Sequence, residues 1–249
     1  MKAPPAWLIP LRPPADLRLK LYCLPHAGGG GSSFVRWQAK VPAGVHVCPV
    51  QLPGRESRHG ERGPDTLREL VDLIVANLPF GDAPFAFFGH SMGALLAFEI
   101  SRALRGAGRP GPRLLIASAA VAPQAEYRSL ILHTMEGPEL IAGLRAYGTP
   151  EAVLAHPELL ELVTPAIRAD SRLVNEYRYA PGPPLEVPIA VYAATDDATV
   201  PLQMLEGWRE QTTGRVTRRT FQGGHLYLHP GREAFFAALA EDLTAAMAG

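Results

Sequence analysis

A serine, an acid and a histidine fall in this sequence where a nucleophile could be activated. Ser91 sits in Gly89-His90-Ser91-Met92-Gly93, a G-x-S-x-G spacing, between the apolar runs Phe85–Phe88 and Ala94–Phe98. That context predicts a strand, a tight turn and a helix, which together lift a serine hydroxyl above a sheet edge on a strained backbone. A serine hydroxyl is a weak nucleophile until a base takes its proton, and the base needs an acid to fix its tautomer. Asp196 or Asp197 follows the apolar run Pro188–Ala194, and His225 follows Val216–Phe221. His229 competes as the base, but Gly223 and Gly224 free His225 to project from a loop. The order Ser, Asp, His, each just past an expected strand, suits acyl transfer on a parallel sheet.

Acyl transfer places negative charge on a carbonyl oxygen, and backbone N–H groups aimed at it lower the barrier. Met92 opens the helix after the elbow and offers one such N–H. Ala27 offers a second, from the early loop Pro25-His26-Ala27-Gly28-Gly29-Gly30-Gly31-Ser32-Ser33. Those glycines let backbone approach a ligand, but the G-K-[ST] ending of a phosphate-binding loop is missing. No His/Cys spacing marks a metal site, and no cofactor is expected.

The elements that must position these groups alternate along the chain. Strands are expected at Arg18–Leu24, Val45–Leu52, Phe85–Phe88, Arg113–Ala119, Pro188–Ala194 and Val216–Phe221. Thr66-Leu67-Arg68-Glu69 reads as a capping box, followed by Leu67, Leu70, Val71, Ile74 and Leu78 on one helical face. Further helices are expected around Phe34–Val41, from the elbow to about Gly106, around Leu202–Gln211, and at the carboxyl end with Phe236, Leu239, Leu243 and Met247 buried. Alternation of strand and helix implies a mostly parallel sheet flanked by helices. Residues 123–180 break the pattern: Pro-Glu pairs start short helices there, which reads as an inserted helical lid. The remaining residues, 1–122 and 181–249, form the α/β core. Residues 1–16 are proline-rich and are expected to lie over the surface as an extended arm.

Composition narrows the function class. Lys+Arg and Asp+Glu both number 24, so no charge bias favours nucleic acid. Nearly half of the 249 residues are apolar, enough for a sizeable core in one α/β domain with an insertion. Cys23 and Cys48 lie inside strand-like runs and read as buried thiols. Prolines interrupt the N-terminal apolar residues, and no stretch is long enough to span a bilayer. A cytoplasmic protein without a membrane partner is therefore expected.

Four stretches together carry a family likeness: Pro25–Gly29, Gln51-Leu52-Pro53-Gly54-Arg55, Gly89–Glu99 and Gly223-Gly224-His225. With Arg168-Ala169-Asp170 and Tyr177-Arg178-Tyr179, the chain resembles the type II thioesterases that edit polyketide synthases and nonribosomal peptide synthetases. The resemblance implies an α/β-hydrolase fold and selects Asp197 as the acid, three residues before Val200. It also implies a monomer that hydrolyses acyl thioesters from the phosphopantetheine arm of carrier proteins. A small-molecule esterase or an acyl-CoA thioesterase on the same triad is the rival reading. A carrier-protein binding module without catalysis is a more distant one.

Overall fold

The computed structural model describes residues 7–125, 131–228 and 233–248. Six strands make one sheet: β1 (Leu19–Leu24), β2 (Val45–Pro49), β3 (Phe85–His90), β4 (Leu115–Ser118), β5 (Ile189–Ala194) and β6 (Val216–Phe221). Their spatial order is β2-β1-β3-β4-β5-β6, with every neighbouring pair parallel. β3, β4 and β5 are buried along their whole length. A parallel strand covered on both faces needs apolar side chains on both, which is why these read as continuous apolar runs rather than alternating ones.

The chain leaves β1 toward one edge of the sheet and returns to β3 on the opposite side of β1. At such a reversal the loops after the two strands diverge and open a crevice at their carboxyl ends. Leu24 pairs with Gly89, so the loop carrying Ala27 and the elbow carrying Ser91 emerge side by side.

Helices cover both faces. On one side lie α1 (Leu67–Asn77) and α2 (Met92–Gly106), whose buried Leu70, Val71, Ile74, Leu96 and Ile100 pack on the sheet. The expected capping box is formed: Glu69 N–H donates to Thr66 Oγ1, and the Glu69 carboxylate accepts from Thr66 N–H. The other face is closed by the carboxyl-terminal helix, Glu233–Ala248, and an aromatic cluster of Phe34, Trp37, Phe88 and Phe235. Two connecting segments, Gly31–Ala39 and Leu202–Gln211, wind as tight 3-10 helix. The first starts three residues before the helix expected from Phe34.

Between β4 and β5 the described residues hold three helices and no strand within the inserted stretch: α3 (Gly137–Tyr147), α4 (Glu151–Leu154) and α5 (Pro157–Glu176). Pro138 and Pro157 stand in the first turns of α3 and α5, where a missing N–H leaves no intrahelical partner unsatisfied. The amino-terminal arm pairs with the sheet margin, Leu8 bridging to Val50 and Ile9 N–H donating to the Pro49 carbonyl. Cys23 and Cys48 are buried free thiols. Among the described residues no helix is long and apolar enough to cross a membrane.

Candidate active site

Ser91 stands between β3 and α2 with φ +54° and ψ −116°, a conformation that costs a non-glycine residue energy. Its N–H donates to the Ser118 carbonyl at the end of β4, 2.7 Å away, which holds the turn against the sheet. Gly93 lies against the end of β1, where an added Cβ would overlap the carbonyl oxygens of Leu24 and Pro25. The glycine thus allows α2 to start directly against the end of β1.

His225 comes from the loop after β6 and Asp197 from the loop after β5. His225 Nδ1 is 2.8 Å from Asp197 Oδ2, with both side chains at least 98% buried. The other carboxylate oxygen accepts from Thr199 N–H at 2.8 Å and from Thr199 Oγ1 at 2.7 Å. Thr199 Oγ1 also lies 2.8 Å from His225 Nδ1. The hydroxyl proton goes to Asp197, so the Nδ1–H proton is shared between Asp197 and the threonine oxygen. Burial pushes the Asp197 carboxyl up, but hydrogen bonds from His225 and Thr199 outweigh it and hold the group below its ordinary value. Asp196, the alternative acid, is exposed and accepts from its neighbour Thr195. His229, the alternative base, lies outside the described residues.

His225 Nε2 is buried and has no hydrogen-bond partner among the described residues. It shares with Ser91 a cavity of about 120 Å³ walled by Leu95, Val121, Val174 and Val200. Tyr147, at the carboxyl end of α3, caps this space, its ring 4.8 Å from the His225 ring centroid. The Tyr147 hydroxyl is buried without a hydrogen-bond partner among the described residues, and burial pushes its pKa up, so it stays protonated. Met92, one of the two expected oxyanion donors, follows Ser91 as the first residue of α2 and is buried.

Behind the imidazole runs a neutral chain of hydrogen bonds. Burial drives the His90 pKa well below the ordinary histidine value, so the ring carries one proton. Its Nε2 is 2.9 Å from the His225 carbonyl, which can only accept, so the proton sits there. Nδ1 must then accept, from Ser118 Oγ at 2.9 Å, and Ser118 accepts in turn from the Tyr227 hydroxyl at 2.6 Å. The chain pins the His225 backbone to the ends of β3 and β4.

Sequence reasoning placed Ser91, Asp197, His225, Ala27 and Met92 around one spot. It missed Thr199, Tyr147 and the Tyr227–Ser118–His90 chain. Asp197 and Thr199 form an Asx-type turn, and the D-x-T spacing was a local signal for it. Tyr147 had none, because 56 residues separate it from the serine. A hydroxyl, an oriented base with its carboxylate, and a backbone donor on the far side can together open an acyl bond through a covalent intermediate.

Comparison with known proteins follows the same line. Residues 19–245 match the family described as thioesterase domain. The gramicidin S biosynthesis protein GrsT of Aneurinibacillus migulanus is 34% identical over 244 residues, covering 97% of this chain and 95% of that protein. Among solved structures, the RedJ thioesterase from the prodiginine pathway of Streptomyces coelicolor superposes with a TM-score of 0.85. It is 37% identical, and the match covers 96% of this chain and 91% of RedJ. The type II thioesterase BorB from the borrelidin biosynthetic cluster gives 0.84 at 38% identity, covering 95% of this chain and 97% of BorB.

Proposed function

The chain belongs to the thioesterase family, as a type II thioesterase hydrolysing thioesters in the company of polyketide and nonribosomal peptide pathways; from that premise we propose that Ser91, His225 and Asp197 cleave acyl groups from the phosphopantetheine arm of carrier proteins. The observation that carries the reading is the buried His225–Asp197 pair, whose free Nε2 lines one cavity with the strained Ser91.

In this reaction Ser91 Oγ attacks the thioester carbonyl carbon while His225 Nε2 takes its proton. The carbonyl oxygen becomes the oxyanion, received by the N–H groups of Ala27 and Met92. Collapse breaks the C–S bond, and the pantetheine sulfur leaves with the proton from His225. Water then attacks the acyl-serine, giving its proton to His225, and the acid product departs as the proton returns to Ser91. Asp197 and Thr199 hold the imidazole with its proton on Nδ1, the tautomer that leaves Nε2 free to accept. The inserted helices α3, α4 and α5 act as a lid over the acyl cavity, with Tyr147 and Val174 contributing to its wall. Removal of stalled or wrongly loaded acyl groups from a synthase is the service this supplies.

The test compares one short acyl group carried on a holo carrier protein, on coenzyme A and on p-nitrophenol. Fastest turnover is expected on the carrier protein, falling by about 10⁴-fold or more in Ser91→Ala. Rapid p-nitrophenyl ester cleavage with the carrier thioester untouched would replace this reading with that of a general esterase.

A further inference from the structure

The loop that carries Ala27 is clamped one peptide unit at a time. The unit whose N–H is Ala27's has its carbonyl, on His26, bonded by Gly29 N–H at 2.9 Å. The next unit is held at both ends. Its carbonyl, on Ala27, lies 2.9 Å from His26 Nδ1, and its N–H, on Gly28, donates to Asp170 Oδ2 at 2.7 Å. Two fixed peptide planes leave the Ala27 N–H no freedom to rotate.

Asp170 belongs to α5, 142 residues along the chain from Gly28. It is almost wholly buried, and its carboxylate receives both terminal nitrogens of Arg55, with Nη2 to Oδ1 at 2.8 Å. Arg55 is itself bound to the carbonyls of Gly29 and Pro53. One side of the carboxylate thus anchors to the arginine, and an oxygen of it reaches the loop. Gly28 has φ +76° and lies against Ile167 of the same helix, where an added Cβ would overlap the Ile167 side chain. Glycine at this position lets α5 seat directly on the loop.

A buried ion pair adds little net stability over apolar residues of the same volume. Stability therefore does not account for a charged pair at this place, whereas the bond to Gly28 N–H does. We propose that Asp170, held by Arg55, is a positioning residue that aims the Ala27 N–H at the oxyanion, so that seating of α5 completes the site. The inference rests on the preceding reading of Ala27 as an oxyanion donor. It adds that the donor is set by the inserted helix rather than by the sheet alone.

Two double variants separate positioning from folding. Arg55→Met with Asp170→Leu removes the pair without stranding a charge and leaves Gly28 N–H with no acceptor. Arg55→Met with Asp170→Asn restores an acceptor oxygen but no charge. Each is assayed on the carrier thioester and on p-nitrophenyl acetate, and against an alkyl trifluoromethyl ketone, to which Ser91 adds to form a tetrahedral oxyanion. Removing an oxyanion donor outright lowers turnover by about 10²–10³-fold, and displacing one is expected to cost about 10-fold or more. The Leu variant should lose that factor in kcat on both substrates, with KM within about twofold, and should weaken ketone inhibition by the same factor. The Asn variant should recover most of both. A folded Leu variant with parental kcat and ketone affinity overturns the proposal, and so does an equal loss in the two variants. Where the apolar pair fails to fold, Asp170→Glu keeps the charge and displaces the acceptor: a parallel loss in kcat and ketone affinity supports the proposal, and unchanged values overturn it. The p-nitrophenyl ester reads the oxyanion site even if the carrier-protein reading fails, so the two failures are distinguishable.

Discussion

The sheet and the inserted helices frame one site with different mixtures of forces. Beneath Ser91, β3 is buried throughout and Phe88 is packed edge-on against Phe34, Trp37 and Phe235. Dispersion and apolar burial fix that region, and close packing leaves it one arrangement. The inserted helices bury apolar side chains on the same core, Leu144, Ile167 and Leu173 among them, and add polar clasps on the insertion and on the strap that leads from it to β5. Arg168 donates to the carbonyls of His133 and Met135, and Arg102 and Arg105 of α2 hold the carbonyls of Ala180, Pro183 and Pro184. Tyr177 donates to Glu99 of α2 at 2.7 Å. Hydrogen bonds of this kind each contribute little net stability but are strongly directional. Ser91 therefore stands on an apolar frame, while the inserted helices combine apolar packing with directional clasps.

If that contrast holds, damage beneath the elbow shows first as lost folding. Gly93→Ala drives a methyl group into the backbone at the end of β1 and should cost more than about 4 kcal/mol or abolish folding. Denaturant unfolding and fluorophosphonate labelling of Ser91 would register it. Next in size, Phe88→Ala should cost about 3–5 kcal/mol by the cavity it leaves, again with the site lost only through unfolding.

Acid should probe the seam between the two regions, where His26 lies against His90 and Tyr147. Burial pushes the His26 pKa down to about 4 from the ordinary 6.5. Between those values the unfolded chain binds a proton that the folded chain refuses, so stability falls as pH drops from about 6.5 toward about 4 and is unaffected above. His90, also lowered by burial, acts in the same direction. Thermal melting across this range should show the decline, and His26→Gln should flatten it.

The smallest effect belongs to the clasp. Arg105→Ala should lower stability by less than about 1 kcal/mol. It should still speed tryptic cleavage after the exposed Arg178 several-fold, because the strap it holds runs from there to β5. An equal response from Phe88→Ala and Arg105→Ala in melting would erase the distinction between the regions.

The parts legible from sequence follow the same division. β5 was readable to within one residue, because a continuous apolar run has one place to go in a covered parallel sheet, and the edge strand β6 to the residue, because Gly214 before it and Gly223-Gly224 after it bound a β-branched stretch. Ser91, Asp197 and His225 were legible because each sits in a short motif at a strand end. The segment Gly31–Ala39 was missed in its start and its winding, since the 3-10 turns begin among glycines that carry no periodic signal. Tyr147, and Asp170 as the partner of Gly28, were not legible in their roles. Tyr147 shares its cavity with Ser91, 56 residues away, and Asp170 bonds Gly28 across 142, which no local pattern encodes.

The Tyr147 ring lies 4.8 Å from the His225 ring, in the wall of the cavity that Ser91 and His225 share. A ring in that place shields the imidazole from bulk water, so the buried His225–Asp197 pair works at low local dielectric, where its attraction is least screened.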